Sequence, residues 1–140
     1  MLTRLIVALF TLVVAFAILG ADQPSIKKVP PSPTSPASGQ EMFTTYCAVC
    51  HGKDGKGGGP AVAALKVPPP DLTTLSAKAN GKFPELKVFG AIHGDADMPA
   101  HGSKDMPVWG TVFQSMSHDN GAGKQMRVAN LTAYIKSLQK

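Results

Sequence analysis

Cys47 and Cys50 are the only thiols in this 140-residue chain, and His51 follows the second of them directly. The spacing Cys47-Ala48-Val49-Cys50-His51 matches the attachment motif of a covalently bound haem. Two thiols three residues apart can each join one porphyrin vinyl group through a thioether, and the imidazole beside Cys50 then falls beneath the iron as proximal ligand. A chain stapled in this way has to fold around a flat apolar group. Two other readings fit less well. A structural zinc site needs four soft ligands, usually as two Cys or His pairs, whereas His93, His101 and His118 are not at paired spacing. A thiol–disulfide oxidoreductase needs a strand before its C-x-x-C and a βαβ setting, but no strand-like alternation precedes Cys47.

The N-terminus is organised for delivery. Arg4 precedes an uncharged apolar run from Leu5 to Leu19, with Gly20 and Ala21 after it, so residues 1–21 read as a secretory signal or as an uncleaved membrane anchor. Residues 22–37 carry Pro24, Pro30, Pro31, Pro33 and Pro36 among Ser and Thr, and are expected to form an extended, unpacked linker. Residues 38–140 remain for one folded domain, small enough that its core is marginal without a buried cofactor. The net charge of +5 falls to +4 if Arg4 leaves with a signal. With no arginine cluster and 6% aromatic residues, the chain does not read as a nucleic-acid binder. Its lysines suit a solvated face or a docking rim for an acidic redox partner.

The elements expected within the domain are helical. Ser38 with Glu41 three residues on forms a capping box, and the helix it opens carries Gly39, Phe43 and Cys47 on one face. From Gly52 to Pro60 the glycines exclude regular structure, and the loop can bring a carbonyl near Pro60 to the Nδ1 proton of His51. A helical turn is expected in Ala61–Val67, stopped by Pro68 to Pro70. Asp71 caps a short helix through Lys78 that ends at Asn80-Gly81. Pro84 opens another, with Leu86, Val88, Phe89 and Ile92, closing near Gly94. Residues 94–120 read as a long loop with one turn around Trp109 to Met116. Val128, Leu131, Ile135 and Leu138, with Tyr134 beside them, mark a closing helix from Lys124 to Gln139. No internal repeat and no strand pattern stands out.

A second strong iron ligand would turn such a centre toward electron transfer. Of the six methionines, Met1 is the initiator, Met42 sits on the first helix, Met126 is expected in the packing of the last, and Met116 can anchor a loop. Met98 and Met106 remain, each followed by a proline that holds the chain extended. Met106-Pro107-Val108-Trp109-Gly110 is preferred, because Trp109 adds a flat ring and an N–H able to reach a propionate. Met98, a histidine, or no sixth ligand are the alternatives.

Together these residues resemble the class I cytochromes c over nearly all of Ser38 to Lys140. The likeness runs through Gly39 and Phe43, the C-x-x-C-H motif, the Gly-rich loop to Pro60, Met106-Pro107, and Leu131 with Tyr134. It implies an all-α, cytochrome c-like fold of three to five short helices around one haem c, with long Gly/Pro-rich loops. It further implies that Gly39 and Phe43 pack against Leu131 and Tyr134, and that the Pro60 carbonyl bonds His51. The segment His101 to Gly110 is similar to a loop of small bacterial members in which the methionine is the sixth ligand, here Met106. The function expected is that of a monohaem periplasmic electron carrier, not an enzyme, serving exported redox proteins or membrane respiratory complexes. Two rival readings are a haem enzyme or sensor with an open distal site, and a relay subunit tethered to a membrane oxidase or dehydrogenase through residues 2–21.

Overall fold

The computed structural model describes residues 30–95, 108–117 and 121–140. The expected signal or anchor, Met98, Met106, His101 and His118 lie outside the described residues. Within them every regular element is helical, and no helix is long and apolar enough to cross a membrane.

Helix α1 (Gly39–Met42) starts as its sequence dictates: the Ser38 hydroxyl accepts from the Glu41 N–H at 3.2 Å. The Glu41 carboxylate reaches back to the N–H of Ser35 rather than that of Ser38, at 3.2 Å. A π-helical turn (Phe43–Cys47) follows, in which the Ala48 N–H donates to the Phe43 carbonyl, and α2 (Ala48–His51) carries the motif to its end. Gly52 then reverses the chain at φ 75°, a conformation that favours glycine.

The Gly-rich loop leads to single 3₁₀ turns at Val62–Ala64 and Leu72–Thr74, then to α3 (Leu75–Lys78). Asp71 caps the second turn, accepting from the Thr73 N–H at 2.8 Å. Asn80 and Gly81 both take positive φ where the chain leaves α3. Helix α4 (Glu85–His93) ends on left-handed Gly94. The turn expected around Trp109 is a seven-residue helix, α5 (Trp109–Ser115), and α6 (Ala122–Ser137) closes the unit.

α6 is the spine against which α1, α4 and α5 pack. Met42, Phe43, Phe113, Val128 and Leu131 are fully buried along it. The crossing with α1 is tight: a Cβ at Gly39 would lie 2.2 Å from the Asn130 carbonyl oxygen. Phe43 meets Tyr134 with ring centroids 5.3 Å apart. α4 and α5 approach as closely, since a Cβ at Gly110 would lie 2.0 Å from the His93 carbonyl oxygen.

Two expectations need correction. Residues 32–36 are not an unpacked leader, because Thr34 is buried and bonded to α6. The Arg127 Nη2 donates to its carbonyl at 2.9 Å, and the Asn130 amide donates to the Pro36 carbonyl at 2.8 Å. Prolines hold this strap extended, and α6 side chains supply the hydrogen bonds that it cannot make to itself. Met126, expected in the core, is 46% exposed, while the neighbouring Arg127 takes the inward position at 7%.

Candidate functional site

A cavity of about 330 Å³ opens between the π turn, α3, α4 and α6, within the range of about 300–1,000 Å³ usual for small-molecule sites. Cys47 and His51 both line it. Most of the remaining wall is apolar, from Phe43, Leu72, Leu75, Val88, Ile92 and Ile135, with Trp109 at one side. Lys78 and Lys87 also contribute to the lining, and both are exposed residues.

The wide turn puts Phe43 and Cys47 on the cavity while Tyr46 turns the other way, stacking on Trp109 at 5.2 Å and meeting Phe113 at 5.9 Å. His51 is buried at the end of α2, and Cys50, half-buried, stands one residue before it. The Gly-rich loop runs back along this turn. Gly57 donates to the His51 carbonyl at 2.8 Å, Gly59 to that of Cys50 at 3.0 Å, and Ala61 to that of Val49 at 2.9 Å. A Cβ at Gly59 would fall 2.4 Å from the Val49 carbonyl oxygen, so glycine is what allows this approach. Pro60 is exposed and lies between Gly59 and Ala61, next to the motif. The structure brings Cys47, His51 and Trp109 to one cavity; Cys50 and Pro60 are not among its lining residues, Pro60 lying on the loop hydrogen-bonded to the motif. Met106 is outside the described residues; among the described ones, Ala91, Ile92 and Trp109 line the cavity, and His93 abuts Gly110.

The surroundings of the two thiols disfavour their charged form. Burial, and secondarily the charge of Cys50, pushes the Cys47 thiol up to about 12, and burial raises Cys50 as well. Both thiols lack the lowered pKa of a redox-active cysteine. Among the described residues no three His, Cys, Asp or Glu side chains gather as a metal site would require. An apolar cavity with the Cys47 side chain and an imidazole in its wall, and Cys50 on the adjoining helix, fits a covalently held haem.

Sequence reasoning missed Tyr46, Thr34 and Arg127, which form a bonded group behind the cavity wall. Arg127 Nη1 donates to the Thr34 hydroxyl at 2.9 Å, and Tyr46 donates to the Ser32 carbonyl. The Thr34 hydroxyl is therefore left to donate to the Tyr46 oxygen, 2.9 Å away. The signal was available, because Arg127 stands four residues before Leu131 and eight before Ile135, on the buried stripe of α6.

Compared with known protein families, residues 36–139 match the family model described as Cytochrome c. Neither the curated proteins nor the solved structures gave a match.

Proposed function

The chain belongs to the cytochrome c family, and from that premise we propose that it is a monohaem electron carrier working between exported redox partners. Family membership implies a c-type haem and one-electron transfer. The finer reading is carried by one observation: Cys47 and His51 meet in the wall of a single apolar cavity, with Cys50 on the same turn. A haem held there supplies a one-electron couple between Fe(III) and Fe(II).

The protein's part is attachment, orientation and exclusion of water. Cys47 and Cys50 hold the group through thioethers, and His51 presents its imidazole from the end of α2. The Pro60 carbonyl is proposed to hold the His51 ring through its Nδ1 proton, a role supported by the loop hydrogen bonds either side of it. Trp109, fixed by its stack on Tyr46, is proposed to donate its indole N–H to a propionate. Met106 is proposed as the residue that would give the iron its second protein ligand, with Met98 as its rival. Lys78 and Lys87 at the cavity offer positive charge to an acidic partner, and such complementarity raises association rates more than affinity. Residues 1–21 are proposed to direct export to the periplasm, either as a cleaved signal or as an anchor.

Spectroelectrochemical titration of the purified holoprotein tests this reading. We expect a single reversible one-electron transition and a methionine-to-iron charge-transfer band in the oxidised spectrum. Met106→Ala should abolish that band while the haem stays attached. If Met98→Ala does so instead, the ligand assignment is wrong. A resting spectrum without the band, together with peroxide binding in the wild type, would support the enzyme or sensor reading.

A further inference from the structure

Arg127 carries a charge that no acidic side chain among the described residues pairs with. Its side chain is buried at 7% exposure in the middle of α6. Nη1 donates to Thr34 Oγ1 at 2.9 Å and to Met42 Sδ at 3.6 Å, and Nη2 donates to the Thr34 carbonyl at 2.9 Å. The guanidinium lies 5.8 Å from the centre of the Phe113 ring, and Nε is buried without an acceptor. Every one of these partners is neutral. The ion pairs among the described residues join Lys56 to Asp54, His93 to Asp95 and Lys136 to Glu85, none of them to Arg127. A buried, unpaired charge is expensive, and a neutral donor would have served to pin Thr34 alone.

Its position relates it to the cavity. Met42 adjoins Phe43, which lines the cavity, and both are fully buried. Through Thr34 and Tyr46 the same guanidinium backs onto Trp109, another lining residue. Buried side chains rather than solvent separate the charge from the cavity, so its field is weakly screened.

We propose that Arg127 sets the reduction potential of the haem in this cavity, its buried positive charge favouring the reduced state over the oxidised one. This rests on the electron-carrier reading above. Reduction takes one electron from a one-electron donor, leaves the centre one unit less positive, and breaks no bond at Arg127; a nearby cation stabilises that product. Arg127 touches no reacting atom and acts through the field alone. A unit charge acting over about 13 Å, the radius of gyration of a domain of roughly 100 residues, in an effective dielectric of about 20 changes a charge-transfer equilibrium by several-fold.

The test is a mediator-poised redox titration of the holoprotein and its variants, reading the ratio of reduced to oxidised haem at one fixed potential. Arg127→Gln should lower that ratio by about three- to tenfold. Arg127→Lys, which keeps the charge, should stay within about twofold of the wild type. Thr34→Asp gives a second route if Arg127→Gln does not fold: it keeps the guanidinium and supplies the missing carboxylate, and should lower the ratio as far as charge removal does. Thr34→Val, which weakens the strap without changing charge, should leave the ratio within about twofold. An unchanged ratio in Thr34→Asp, or equal falls in Thr34→Val and Thr34→Asp, would overturn the proposal, the latter assigning the effect to packing. A wild-type preparation with no haem would instead defeat the electron-carrier reading itself.

Discussion

At the scale of single residues, the site is built from contacts that tolerate little change. Gly39 has no room for a side chain, because the atoms a Cβ would meet are the Asn130 carbonyl and the Tyr134 Cβ, neither of which is a flexible tip. Gly39→Ala should therefore part α1 from α6 and cost about 1–3 kcal/mol, read as a lower urea midpoint of the holoprotein. This contact was foreseen from the resemblance, and the capping roles of Ser38 and Asp71 from residue type alone. The caps depend on local chemistry that a sequence displays directly. Arg127 was not foreseen, since a cation reads as surface until its helical register is compared with Leu131 and Ile135. Met126 was misplaced for the complementary reason: its apolar side chain suggested the core, but its position on α6 faces away from it.

At the scale of elements, helix ends were legible where Gly, Asn or Pro force them. Gly94 closes α4 and Asn80-Gly81 follows α3, both at positive φ. The π turn in Phe43–Cys47 was not legible. It is a shift of hydrogen-bond register by one residue, and no composition marks it. The strap at residues 32–36 was hidden too, because a Pro/Ser-rich segment resembles a linker whether or not a partner awaits it. Its partners are side chains from α6 and the π turn, more than ten residues away in sequence. Tyr46→Phe removes the hydroxyl that links Thr34 to Ser32 while keeping the stack on Trp109. The expected cost is about 0.5–1.5 kcal/mol, with earlier proteolytic cutting within residues 30–36 and an unchanged haem content.

At the scale of the whole molecule, the fold is a set of short helices whose one small core also forms part of the wall of an apolar cavity. Among the described residues the largest fully buried side chains are Met42, Phe43, Phe113, Val128 and Leu131, and Phe43, Leu72, Ile92 and Ile135 of the core also line the cavity. A domain of this size gains little from burial beyond what chain entropy removes. The cofactor supplies the missing apolar surface in this account. Replacing both Cys47 and Cys50 by Ala should leave a chain without a cooperative thermal transition in calorimetry, whereas the haem-bearing protein should show one. The C-x-x-C-H motif identified this organisation from sequence, and the family match over residues 36–139 agrees with it. The most direct test is the intact mass of protein produced with haem-attachment machinery, taken with its pyridine haemochrome spectrum. One haem per chain, retained through denaturation, is the predicted result; a colourless protein weighing no more than its polypeptide would contradict the account.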